Sequence, residues 1–404
     1  MAYAVNGIEV INDEAAIVHE SFPQIAGTIQ STEVKITASD GATEDYFGTD
    51  VAVGSGRIVV GANSDDDVES NSGSAYIFDL EGNQLAKITA SDPVANKFFG
   101  QSVAVGSGRI VIGAHFDSVD FVYSGAAYIF DLDGNQLAKI KASDPAFNDN
   151  FGQSVAVGSG RIVVGSPLDD DNGSTSGSAY IFDLDGNQLS KITAGDGAAG
   201  DRFGYSVAVG CGRILVGAYG DADNGSFTGS AYIFDLDGNQ LTKITANDGA
   251  AEDYFGLSVA VGSGKILIGA RGNNLNGSAY IFDLDGNQLT KITASDGADN
   301  DRFGTSVAVG SGKIVVGSIF DDDNGADSGS IYIFDLDGNQ LEKITASDGA
   351  AGDQFYKSAI GSGKIVVSAR LDDDNDTDSG SAYIYSLSED HNTYWERILD
   401  TYKY

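Results

Sequence analysis

Residues 151–192 read FGQSVAVGSGRIVVGSPLDDDNGSTSGSAYIFDLDGNQLSKI, and most of the chain is built from variants of this one stretch. The Phe-Gly pair that opens it, Phe151-Gly152, recurs as Phe47-Gly48, Phe99-Gly100, Phe203-Gly204, Phe255-Gly256 and Phe303-Gly304, with a degenerate Phe355-Tyr356 at the end. Successive copies are 52 residues apart except for one step of 48. A period near fifty marks an array of structural units, so the repeat and not the length of 404 residues sets the architecture.

The stretch holds four short β-prone runs: SVAV (154–157), RIVVG (161–165), SAYIF (178–182) and NQLSKITA (187–194). Gly-Ser-Gly separates the first two and Asp-Leu-Asp-Gly-Asn the last two, both tight-turn chemistry because glycine reaches positive φ at little cost. Four antiparallel strands joined in this way make a blade, and seven blades can close a ring with no open sheet edge. The expected fold is therefore all-β, a seven-bladed β-propeller. The last copy has SAYIY (381–385) but no NQL-type run after it, whereas an orphan run of that type, EVKITAS (33–39), precedes the first Phe-Gly. This N-terminal run is expected to supply the outer strand of blade 7. The propeller then spans 33–386, between an N-terminal attachment segment (1–32) and a C-terminal tail (387–404). Third strands carry alternating aromatics such as Tyr180 and Phe182; with the Phe-Gly rings they place 21 of the 38 Tyr and Phe residues in recurring core positions.

Charge narrows the partners. With 23 basic against 59 acidic residues the formal net charge is −36, a field that repels phosphate backbones, so nucleic acid is not an expected partner. A single cysteine, Cys211, rules out an intramolecular disulfide framework. The first residues lack the basic start and apolar run of a signal peptide, and no stretch is long and apolar enough for a membrane span.

Phe-Gly at the head of one strand, with IVVGA (58–62) or IVVGSP (162–167) at the end of the next, resembles the FG-GAP repeats of integrin α-subunit propellers and bacterial surface proteins. The resemblance runs from about 33 to 386 and implies a propeller used for adhesion or recognition, without enzymatic activity. One departure matters. Integrin-type repeats carry a calcium loop between the first and second strands, where this chain has only Gly-Ser-Gly, so that site does not carry over.

Acidic residues crowd two other connections. After the second strand stand Asp65 and Asp67, Asp117 and Asp120, Asp169 and Asp171, Asp221 and Asp223, Asp321 and Asp323, and Asp372 and Asp374. Before the Phe of six copies stands a second set, Asp40 and Asp45, Asp144 and Asp149, Asp196 and Asp201, Asp248 and Asp253, Asp296 and Asp301, and Asp348 and Asp353. Strand parity puts both sets on one face of the ring. Neighbouring carboxylates repel by roughly 1 kcal/mol at 4 Å even in water, and Ca²⁺, which takes six to eight oxygens, is the candidate counter-ion for the twelve loop aspartates. The opposing expectation is solvated, turn-forming Asp and Asn. The fifth copy, ARGNNLNGS (270–278), is four residues shorter and lacks carboxylates, so a blade can be written without these acids, which favours binding or solubility over folding as their role. The Asp-Leu-Asp-Gly-Asn strings are expected to be plain hairpins.

Catalysis is not expected. The histidines, His19, His115 and His391, share no repeat position and no metal or triad spacing. In the tail, Trp395, Ile398, Leu399 and Tyr402 fall at helical spacing behind a Thr393/Glu396 capping box, the pattern of a short amphipathic helix that docks on the propeller or on another chain. The opening segment (7–28) is similar to the starts of tail-fibre and other structural proteins of bacteriophages that infect marine cyanobacteria. That resemblance implies a virion component whose partners are neighbouring virion proteins or a host glycan or receptor. The alternatives are a calcium-dependent bacterial surface adhesion module and, further off, a glycoside hydrolase.

Overall fold

The computed structural model describes residues 3–5, 8–10, 30–119 and 122–387. Seven four-stranded antiparallel sheets follow one another along the chain. In blade 3 the strands are Ser154–Gly158, Arg161–Ser166, Ser178–Phe182 and Gln188–Ile192. Their pairing sets Val155 opposite Val164, Val164 opposite Tyr180, and Tyr180 opposite Lys191. The remaining blades repeat this register, and blade 2 adds a small hairpin, Ser118–Val119 with Val122–Tyr123, in its long connection.

The ring closes as expected, with a shift at its start. Strand Gln30–Ile36 pairs with Ser381–Ser386 of blade 7, setting Lys35 opposite Tyr383. It begins three residues before the expected run and ends at Ile36, because the following residues turn away to form the acidic connection into blade 1. Glu33 holds the clasp in place: its carboxylate accepts from Tyr385 Oη at 2.7 Å and from the Ser347 hydroxyl. A separate hairpin, Tyr3–Val5 with Ile8–Val10, belongs to a different unit of the chain from the propeller unit Ile29–Ser388. The proposed docking residues Trp395, Ile398, Leu399 and Tyr402 lie outside the described residues.

The core lies between blades. Third strands are buried along their whole length because each face meets a different neighbour. Tyr128 and Phe130 pack with Val59, Ile77 and Ile88 of blade 1, while Ala127 and Ile129 pack with Phe151, Ile162 and Tyr180 of blade 3. The Phe of each Phe-Gly meets its own blade's third strand edge-on: Phe151 lies 5.3 Å from Tyr180 and 6.0 Å from Phe182 between ring centroids. Burying such a ring is worth about 2–3 kcal/mol. The Gly partner serves the seam, since a Cβ at Gly152 would strike the carbonyl oxygen of Ala126 in the preceding blade, and one at Gly113 would strike that of Gly152. Backbones approach there too closely for any side chain. At the centre, the small Val-Ala-Val faces of six first strands, with Ser358, Ala359 and Ile360 of blade 7, line a channel of roughly 230 Å³.

Candidate functional site

The two acidic connections meet at a tyrosine and a lysine. In blade 3, Tyr180 Oη donates to Asp144 at 2.9 Å and to Asp169 at 3.1 Å. From the adjoining fourth strand, Lys191 Nζ lies 2.7 Å from Asp144, 3.0 Å from Asp169 and 2.5 Å from Asp171. One ammonium thus sits among three carboxylates, 5.3 Å from the centroid of the Tyr180 ring. The same arrangement joins Lys87 to Asp40, Asp65 and Asp67, and Lys243 to Asp196, Asp221 and Asp223. It joins Lys343 to Asp296, Asp321 and Asp323, and, across the clasp, Lys35 to Asp348, Asp372 and Asp374. Burial alone would lower the Lys191 ammonium, but the hydrogen bonds it donates to Asp144, Asp171 and Asp169 outweigh it and its pKa rises. Burial would raise Asp144, and Lys191 and Tyr180 turn that shift downward.

This geometry corrects the expectation of exposed, solvated acids for one member of each pair, while Asp67, Asp171, Asp223, Asp323 and Asp374 remain exposed. Asp65, Asp117, Asp169, Asp221, Asp321 and Asp372 are all buried, and each is one of two aspartate acceptors at a buried tyrosine hydroxyl. The sequence did carry a signal for the missing partner: the Lys of the Lys-Ile run recurs in register with the aspartates, at 35, 87, 139, 191, 243, 291 and 343. Among the described residues, no group of three or more His, Cys, Asp or Glu side chains is arranged to hold a metal ion. Asp120 lies outside the described residues.

Two blades vary the theme. In blade 2, Lys97 stands where other blades have an aspartate two residues before the Phe; it is 1% exposed and bonds Asp92 and Tyr128. In blade 5, Asn273 replaces the buried aspartate. Its Oδ1 accepts from Lys291 at 2.6 Å and its Nδ2 donates to Asp253 at 2.8 Å. The blade without loop carboxylates has therefore kept the network with a neutral member, so the position needs an acceptor for the lysine and not a charge. The second acidic ring, Asp45, Asp149, Asp201, Asp253, Asp301 and Asp353, is buried too, each side chain accepting from a backbone amide three residues earlier. Burial pushes Asp45 up to about 6, with Asp65, Asp66 and Asp67 adding to it. On the other face the Asp-Leu-Asp-Gly-Asn strings are hairpins, their acceptors used internally: Asp183 takes the amides of Asp185 and Asn187 and the Asn187 side chain.

Non-repeating side chains gather on the acidic-loop face. The residue before the Phe of each copy has positive φ, between 54° and 58°, yet the seven residues are Tyr46, Phe98, Asn150, Arg202, Tyr254, Arg302 and Gln354. Only Asn150 suits a left-handed backbone; a bulky side chain there costs about 1 kcal/mol or more. Two positions earlier, where φ is again positive, Asn and Gly dominate (Asn96, Asn148, Gly200, Asn300, Gly352). Folding therefore does not select the large residues. On blades 4 and 5 they form one cluster. Tyr219 lies 4.6 Å from Tyr205, 6.5 Å from Phe227 and 6.2 Å from Tyr254 between centroids. The Arg202 guanidinium covers Tyr219 at 5.3 Å and donates to its hydroxyl, and Arg271 covers Tyr254 at 5.6 Å. Sequence reading singled out none of these, because it looked for what repeats.

Seven consecutive stretches, 31–78, 83–130, 135–182, 187–234, 239–282, 287–334 and 339–385, match the family model of the FG-GAP repeat. The chain belongs to the FG-GAP repeat family. Each matched FG-GAP unit begins with the fourth strand of one blade and ends with the third strand of the next, so sequence repeat and blade are offset by one strand. That offset is why the first FG-GAP unit lends its opening strand to blade 7. No curated protein matches the chain. The integrin-type calcium loop of FG-GAP repeats has no counterpart here, since the connection at that point is a tight turn through Ser159 and Gly160, at φ 49° and 74°. Among the described residues no helix is long and apolar enough to cross a membrane.

Proposed function

We propose that this FG-GAP propeller is a non-enzymatic recognition module that binds its partner with the acidic-loop face, around the mouth of the central channel, and that it works as a component of a virion. The observation that carries the choice of face is the row of Tyr, Phe and Arg side chains held at positive φ where Asn or Gly would cost less. Aromatic and arginine side chains dominate binding hot spots, and here they stand on a rigid ring. The opposite face repeats nearly the same turns in every blade and offers no such variation. The virion setting draws on the likeness of segment 7–28 to tail-fibre starts. In this reading the loop aspartates bind no calcium, because a fourth-strand lysine occupies the centre of each cluster and offsets part of its charge.

A test is to print glycans and candidate surface proteins on an array and probe it with the wild-type chain and with two variants. Tyr219→Ala/Tyr254→Ala is expected to abolish the signal. Leu137→Ser/Leu189→Ser, on the exposed outer edge of blades 2 and 3, is expected to keep it. The reverse pattern would move the binding surface to the rim. Peptides of this chain in purified phage particles would support the virion setting, and their absence would remove it.

A further inference from the structure

The described propeller has eight arginines, and they divide by face. On the turn face Arg57, Arg109, Arg161 and Arg213 each pair with an aspartate of the neighbouring blade, such as Arg161 with Asp237 at 3.7 Å. On the loop face, in a protein of net charge −36, Arg202, Arg271, Arg302 and Arg370 have no carboxylate within ion-pair distance among the described residues. Arg202 and Arg271 instead stand 5.3 and 5.6 Å from the centroids of tyrosine rings, and although Arg202 spends one N–H on the Tyr219 hydroxyl, each guanidinium carries five. They flank the Tyr219, Phe227 and Tyr254 cluster, where blade 5 also has its shortened connection and where Asn273 and Asn274 stand in place of acids. The carboxylate-free loop of blade 5, its shortened length and the two arginines without an ion-pair partner thus coincide at one seam.

We infer that this seam between blades 4 and 5 binds a terminal sugar bearing a single carboxylate, of the uronic or sialic type. The inference rests on the reading of the loop face as the binding face. Its chemistry follows from the groups present. Phe227, 37% exposed, is the open ring of the cluster while Tyr219, 8% exposed, is buried, and a single open ring suits the C–H face of a pyranose better than an anchoring peptide side chain that needs a deep pocket. The Arg202 and Arg271 guanidiniums are the charged donors that a carboxylate on that ring would pair with. Repulsion acts within a screening length of about 8 Å, and a ligand with several charges would bring some of them that close to exposed loop acids such as Asp223 and Glu252, so polyanions are disfavoured and a singly charged chain end is favoured.

The test titrates the full chain with methyl glucuronide, methyl sialoside and the uncharged methyl glucoside, followed by saturation-transfer NMR. Either acidic sugar is expected to bind at least about tenfold more tightly than the glucoside, a difference of about 1.4 kcal/mol. Arg202→Gln and Arg271→Gln are each expected to remove about tenfold of that preference. Gln354 already occupies the position equivalent to Arg202 in blade 7, so the first variant asks nothing new of the fold. Unchanged melting temperatures would confirm that both variants are folded. Equal binding of charged and neutral sugars, no binding of either acidic sugar, or indifference to both Gln variants would overturn the inference. If the acidic sugars fail while Tyr219→Ala/Tyr254→Ala still abolishes array binding, only the ligand assignment falls and the choice of face stands.

Discussion

Lys357 Nζ of blade 7 lies 3.4 Å from Asp50 Oδ1 of blade 1, across the seam where the ring closes. In blades 2 to 5 the corresponding position is a serine, Ser102, Ser154, Ser206 or Ser258, whose hydroxyl donates to a glycine carbonyl of the next blade. Six of the seams join blades already linked by the chain, whereas this one joins the two ends of the array. An ion pair stands there in place of the neutral contact, and Asp50 is the first cause of the rise in the Lys357 pKa, ahead of burial, which opposes it. Asp50 also accepts from the Val103 amide at 2.8 Å, so it ties three blades together.

Asp50→Ser is expected to destabilise the chain by about 1–2 kcal/mol, because it strands a half-buried ammonium and an amide donor. Adding Lys357→Ser should recover part of that loss. Chemical denaturation of the two single variants and the double variant gives the coupling energy, and strict additivity would mean that the pair does not act as a pair.

Removing Lys35 attacks the clasp from the other side. Lys35→Met leaves Asp348, Asp372 and Asp374 facing one another without a cation, and a loss of roughly 2–3 kcal/mol is expected. Hydrogen exchange should then quicken first in Gln30–Ile36 and Ser381–Ser386, the strands that join the chain ends.

Calcium and chelator are expected to leave the melting temperature of the wild-type chain unchanged, since each carboxylate cluster already surrounds an ammonium. In Lys191→Met the vacated centre among Asp144, Asp169 and Asp171 becomes a place for a divalent ion, and millimolar calcium should raise the melting temperature of that variant alone. A calcium response in the wild type would show that lysine is not the sufficient counter-ion.

Acid should first stabilise and then destabilise the ring. Asp45, lifted to about 6, binds a proton in the folded chain before the unfolded chain does, so stability rises as pH falls from 7 towards 5. Asp149, Asp201, Asp301 and Asp353 shift in the same direction. The lysine-paired Asp40, Asp144, Asp196 and Asp296 shift downward, so their contribution is lost only as pH falls below the ordinary carboxylate range. A stability maximum between about pH 4 and 6 is expected from melting curves. Asp45→Asn, which keeps an acceptor for the Ala42 amide, should gain about 1–2 kcal/mol at pH 7 and little at pH 4.

The amino-acid sequence by itself determined the blade, the count of seven and the strand exchange at the closure, because these depend on period-2 runs, glycine turns and one orphan strand that can be matched along the chain. It also determined that Asp183 and its equivalents would be spent inside hairpins, a contact spanning four residues. Only the tertiary structure decided what the loop aspartates do, since the partner of Asp171 is Lys191, twenty residues away and on a different strand, and that of Asp374 is Lys35, at the other end of the chain. The aromatic and arginine cluster was likewise hidden: Tyr219 and Tyr254 fall in different copies at different repeat positions, and only the curvature of the ring brings them to one seam. Periodicity reports what every blade needs to fold. Binding is written in the residues where the copies differ, and their positions in space follow from closing the ring.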